Sequence, residues 1–173
     1  MAIGVPKDVT RPTTDFVRQA LFSILGEVVE GARVADLFAG SGALGLEALS
    51  RGAVSCEFVE ENRKAVKMIQ GNLEKSRLSG GRVTAADVHA WSKRCTSTFD
   101  LIFADPPYAK TKIDRDHVGE LLASPAALSL LAEGGYWIVE QMAGRGEPSV
   151  NGLELVERRS YGISAILLYR KGS

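Results

Sequence analysis

Val34-Ala35-Asp36-Leu37-Phe38-Ala39-Gly40-Ser41-Gly42-Ala43-Leu44-Gly45 decides the fold. Its first five residues read as a short buried strand. Gly40-x-Gly42-x-x-Gly45 follows and leads into a helix expected over residues 46–51, closed by Gly52. Glycines let a backbone approach a ligand closely, and a helix N-terminus offers amides with no partner inside the helix. Glu60 stands 18 residues after Gly42, at the end of a second expected strand, Ser55–Glu60. There its carboxylate can accept from a ribose diol. A bare GxGxxG is weak, and alone it suits NAD as well as any other dinucleotide. A strand before it, a helix after it and an acid at the next strand end make a strong case for an adenosine-type cofactor. Two carboxylates tilt the choice toward S-adenosylmethionine. Asp36, four residues before Gly40, can reach the amino-acid end directly or through water. Asp87 can accept from the adenine amino group, with Val88 beside the ring. Both acids also have a plainer reading: Asp36 can satisfy backbone donors, and Asp87 is a good helix N-cap.

Phe99-Asp100-Leu101-Ile102-Phe103-Ala104-Asp105-Pro106-Pro107-Tyr108 is the second informative run. It reads as a buried strand up to Ala104, and proline cannot continue a central strand because it lacks the amide donor. Asp105, Pro106, Pro107 and Tyr108 therefore fall at the carboxyl end of a strand, the edge where open α/β sheets bind ligands. A carboxylate, a fixed carbonyl and a flat ring suit a planar base carrying an exocyclic amine. The plainer alternative is a strand-to-turn punctuation with a hydrophobic tyrosine.

Strand and helix patterns alternate outward from these two runs. Residues 1–13 read as an extended arm, and an amphipathic helix follows with Phe16, Ala20, Leu21, Ile24 and Leu25 at helical spacing. Further strands are expected at residues 82–86 and 136–140, with Gly134-Gly135 ending the preceding short helices. Residues 153–161 and 164–169 alternate as a terminal antiparallel hairpin. The expectation is one α/β domain over residues 1–173, with a parallel sheet between helices.

Composition narrows the function classes. Twenty-one basic residues balance twenty-one acidic ones, so any nucleic-acid contact must come from local patches. Lys110, Lys112 and Arg115, just after the second run, can steer phosphates, or can form an ordinary solvated loop. The two cysteines form no CxxC pair, and the two histidines, His89 and His117, lie far apart in the chain. No metal is expected, and a reducing, cytoplasmic setting is. His89 and Trp91 read as packing or capping groups. No apolar run reaches transmembrane length, and no secretory signal layout is present.

The run from Asp36 to Arg51, the stretch Phe58-Val-Glu-Glu-Asn-Arg63 and Asp105-Pro-Pro-Tyr108 stand in the order found in class I methyltransferases. With Arg11-Pro-Thr-Thr-Asp-Phe-Val-Arg18 upstream, the set resembles the RsmD-type 16S ribosomal RNA guanine-N2 methyltransferases of bacteria. The resemblance implies a Rossmann-like seven-stranded sheet in the order 3-2-1-4-5-7-6, strand seven antiparallel, with helices on both faces. It implies S-adenosylmethionine as donor and a guanine in 16S rRNA as acceptor, within the 30S subunit or an assembly intermediate. Asp36, Phe38, Ala39, Gly40, Gly42, Glu60, Asp87 and Val88 match cofactor positions. Arg11, Pro12 and Thr13 match a segment beside the cofactor's methionine end. Asp105, Pro106, Pro107 and Tyr108 match the catalytic tetrapeptide. The family's basic N-terminal segment is largely absent from the first residues. The rivals are an amino-methyltransferase for another RNA, DNA adenine or protein glutamine, an NAD-binding oxidoreductase, and a non-catalytic RNA assembly factor.

Overall fold

A computed structural model describes residues 15–106 and 115–172. Seven strands form one sheet in the order β3-β2-β1-β4-β5-β7-β6. They are β1 (Arg33–Leu37), β2 (Ser55–Glu60), β3 (Gly81–Ala85), β4 (Phe99–Ala104), β5 (Leu131–Met142), β6 (Leu153–Tyr161) and β7 (Ser164–Lys171). The first five run parallel, and β7 runs antiparallel to both β5 and β6. This is the sheet that the family resemblance implies.

Among the described residues six α-helices cover the two faces. α1 (Asp15–Leu25), α2 (Ala43–Ser50) and α3 (Arg63–Ser76) pack on one, where Leu21, Phe22, Leu49 and Ile69 meet Val34, Phe58, Phe103 and Ile138. α4 (Val88–Arg94), α5 (His117–Ala123) and α6 (Pro125–Leu128) pack on the other, where Trp91, Leu121 and Ala127 meet Leu37, Ile102 and Trp137. A strand buried on both faces is mostly apolar on both, so β1 and β4 are apolar apart from Arg33, Asp36 and Asp100. Edge strand β6 is half-exposed and carries Glu154, Glu157, Arg158 and Arg159, which discourage pairing with another chain. Among the described residues no helix is long and apolar enough to cross a membrane.

Two boundaries differ from the sequence expectation by three residues or more. α2 begins at Ala43, directly after an N-cap Gly42 with φ 81°, so Gly45 lies within the helix and not in the turn before it. β5 begins at Leu131, not Tyr136, and runs through Gly134-Gly135. Those glycines mark an irregularity in the β4–β5 register, not a helix end. A Cβ on Gly135 would stand 2.8 Å from the Asp100 carbonyl oxygen, so glycine permits the close passage of the two strands.

Candidate active site at the carboxyl edge of the sheet

β1, β2 and β4 end side by side, with Leu37 level with Val59 on one side and Ala104 on the other. The turn after β1 is sharp. Gly40 sits at φ 59° and Gly42 at φ 81°, and the Gly42 amide donates to the Ala39 carbonyl at 2.8 Å. Glycine at the N-cap brings no side-chain acceptor for the first turn of α2. Asp36 supplies one: its Oδ2 accepts from the Gly45 amide at 3.0 Å. Asp36 is 2% exposed. Burial holds its carboxyl well above the usual carboxylate range, the Gly45 hydrogen bond pulls it back, and the negative charges of Asp105 and Glu60 push it further up.

A testable consequence concerns stability. A carboxyl raised in the fold favours folding where it is protonated and loses that contribution as pH rises through its folded value. Asparagine keeps the acceptor for Gly45 but cannot ionise. Asp36→Asn is expected to unfold later than wild type at about pH 8, by roughly 1–3 kcal/mol, with a smaller gap at about pH 5. Asp36→Ala loses the helix cap and unfolds earlier, by about 1 kcal/mol. Thermal melts at both pH values check this, and equal destabilisation by the two substitutions would contradict it.

Glu60 ends β2 and spans two backbone amides. Oε1 accepts from Gly40 at 2.9 Å and Oε2 from Asn62 at 2.9 Å. The Asn62 side chain in turn caps α3 by accepting from Ala65, and Asn72, buried on α3, donates to the Ser41 carbonyl at 3.2 Å. The glycine turn is thus tied to β2 by Glu60 and to α3 by Asn72. Asp87 is the N-cap of α4 and accepts from the Ala90 amide at 2.9 Å. Val88 beside it is buried. Asp36 and Asp87 therefore both make the backbone contacts that their plainer readings anticipate.

β4 delivers Asp105 and Pro106 to the same edge. Asp105 lines a shallow open recess with Leu21, Leu44, Ile138, Ile166 and Glu140. Glu140, on β5 and almost fully buried, was not singled out from sequence. An acid directly after Tyr136-Trp-Ile-Val139 was the available signal. Pro107, Tyr108, Lys110, Lys112, Arg11, Pro12 and Thr13, like the 1–13 arm, lie outside the described residues. Arg115 is described, and its guanidinium holds Glu120 at 2.9 Å, so its charge is already paired.

The histidines are the larger surprise. His89 on α4 and His117 on α5 lie with His89 Nε2 2.9 Å from His117 Nδ1, and Phe38 packs edge-on against both. Distance along the chain hid this contact, because strand order alone brings the starts of α4 and α5 together.

The edge fits an adenosine cofactor on its own donors and acceptors. The Ser41, Ala43 and Leu44 amides take no hydrogen bond among the described residues, which suits an anionic group at a helix start. Each Glu60 oxygen accepts one bond and retains capacity for another.

The family model described as "Conserved hypothetical protein 95" matches residues 2–170. The chain belongs to this family. YlbH of Bacillus subtilis is 37% identical over 168 residues, covering 94% of this chain and 88% of its own length. Ribosomal RNA small subunit methyltransferase D of Escherichia coli is 33% identical over 147 residues, covering 84% of this chain and 68% of its own. Among solved structures, YhhF from Escherichia coli superposes with a TM-score of 0.81 at 30% identity, covering 98% of this chain and 91% of that one. Membership shows the RsmD-type resemblance read from the motifs, and the likeness to YhhF extends over all seven strands.

Proposed function

We propose that this chain transfers a methyl group from S-adenosylmethionine to the exocyclic N2 of a guanine in 16S ribosomal RNA. One observation carries the reading: β1 and β4 are adjacent and in register at Leu37 and Ala104. The glycine turn and Asp105-Pro106 thus leave the same edge side by side. The name of the Escherichia coli relative supports the RNA class of the acceptor.

The cofactor supplies an activated methyl group on a sulfonium. In this reading Glu60 faces its ribose, Asp87 and Val88 its adenine, and Phe38, Ala39, Gly40 and Gly42 form the turn against which it lies. Asp36 shapes that turn through Gly45, and Arg11 and Thr13 serve the methionine end. A guanine amino nitrogen is a poor nucleophile because its lone pair is delocalised into the ring. The Asp105 carboxylate and Pro106 carbonyl accept its two hydrogens and turn the lone pair toward the methyl carbon. The N–C bond forms as the C–S bond breaks, S-adenosylhomocysteine leaves, and the proton passes to Asp105 or to water. Orientation and placed charge supply the rate. Pro107 fixes the tetrapeptide, and Tyr108 stacks on a base that has left its helix, a contact worth roughly 1–3 kcal/mol. Lys110 and Lys112 meet phosphates, with Arg115 at the margin.

Tyr108→Ala is expected to lower kcat/KM for RNA by about tenfold to a hundredfold, and Tyr108→Phe by less than about threefold. A severe Phe variant would assign the role to the hydroxyl instead of the ring. The reading as a whole is tested by transfer of labelled methyl from S-adenosylmethionine to purified small subunits, large subunits and DNA. Label in small-subunit RNA alone is expected, and label in DNA would favour the adenine rival.

A further inference from the structure

His89 and His117 have no part in that mechanism, yet they form the most built cluster at the edge. Their rings stack with centroids 5.2 Å apart and planes 19° from parallel, and their nitrogens meet at 2.9 Å. Phe38 closes on them from the β1 turn, 5.1 Å from His117 and 6.0 Å from His89. Its backbone is held at φ 56°, a region that bulky residues occupy only when their surroundings compel it. Three segments meet here. Phe38 lies two residues before Gly40, His89 directly follows Asp87-Val88, and His117 opens α5, the first described helix after Asp105-Pro106.

We infer that His89 and His117 are positioning residues for methyl transfer, their ring-to-ring hydrogen bond holding Phe38 and the start of α4 at the spacing the cofactor's adenosine requires. The inference rests on the function proposed above. One imidazole must donate and the other accept, so at least one ring must be neutral. A second proton makes both nitrogens donors and sets two cations against each other. The charged groups facing the pair are Asp87 and Lys93 on the α4 side, and Arg115 and Glu120 on the α5 side. Glu120 stands 3.5 Å from His89 Nε2 but is itself paired with Arg115. Burial first, then the Arg115 charge for His89 and the His89 and Arg115 charges for His117, hold both rings below the ordinary histidine range. The bond is therefore intact at neutral pH, survives the first proton, and fails only when the second ring is protonated, below the ordinary histidine range.

Calorimetry with S-adenosylhomocysteine on the full chain, at about pH 8 and about pH 4.5, tests this. Wild-type affinity should fall by about tenfold between the two. His117→Ala should bind about tenfold more weakly at about pH 8 and lose most of the acid response. In the double variant His89→Gln/His117→Asn, amide groups stand where the two bonded ring nitrogens stood. It keeps a donor and an acceptor but gains no proton, so it should recover most of the affinity and show a flat profile. Should His117→Ala fail to fold, the double variant decides alone. Wild-type affinity in His117→Ala, or a wild-type acid response in the double variant, overturns the inference. No binding by the wild type at about pH 8 instead overturns the methyl-transfer reading itself.

Discussion

Asp105→Ala is expected to abolish methyl transfer, lowering the single-turnover rate by about a hundredfold to a thousandfold or more, while affinity for S-adenosylhomocysteine stays within about threefold. The separation follows from where the residue stands. Asp105 leaves β4 and faces the recess with Glu140, whereas the turn assigned to the cofactor comes from β1 and is braced by Glu60 and Asn72. Removing the carboxylate takes away one of two acceptors for the amino hydrogens, and with it the charge placed where positive charge develops on nitrogen. Asp105 pushes the buried Asp36 carboxyl upward, and the alanine variant removes that repulsion. A stable, cofactor-binding, inactive variant is the expected combination. A near-normal rate would remove Asp105 from the chemistry, and a collapsed melting temperature would make its role structural.

Gly45→Ala carries the largest structural effect. A Cβ there would lie 2.6 Å from Cys56 Sγ, 2.8 Å from Phe58 Cζ, and closer still to Phe58 Cε1. Neither neighbour can yield: Cys56 is 1% exposed and Phe58 not at all. α2 must lift off β2, which stretches the Gly45–Asp36 bond and moves the glycine turn. Alanine's better helix propensity returns only about 1 kcal/mol. Overpacking in a closed core costs about 3 kcal/mol and dominates. For a chain of this size the net loss of about 2 kcal/mol lowers the melting temperature by roughly 4–8 °C. Affinity for S-adenosylhomocysteine should fall by more than about tenfold, because the same displacement reaches Gly42. An alanine variant with wild-type melting and affinity would show that α2 does not sit against β2 as described.

Much of this was legible in the sequence because the informative segments are bounded sharply. Phe99–Ala104, apolar except for Asp100, stands between a Thr-Ser-Thr loop and Asp105 with its proline pair, and Ser55–Glu60 ends at an acid before a capping asparagine. Where a glycine has two uses, the reading failed. Gly45 looked like the last residue of a turn and is a helix residue pressed onto a strand. Gly134-Gly135 looked like a helix stop and is an irregular stretch of β5. Asp36 and Asp87 had two readings each, and the structure gives both a backbone amide to cap. The His89–His117 contact depends on the order of strands in the sheet, which no local pattern records. Glu140 hides for a related reason: its neighbour across the recess comes from another strand.

The central claim is that the strand-end site methylates the amino group of guanine in small-subunit RNA. Nucleoside mass spectrometry of 16S RNA, recovered from subunits incubated with the chain and S-adenosylmethionine, tests it most directly. The account predicts new N2-methylguanosine, absent when Asp105→Ala replaces the wild type. Methylation on adenine, or RNA left unmethylated by a chain that binds the cofactor, would contradict it.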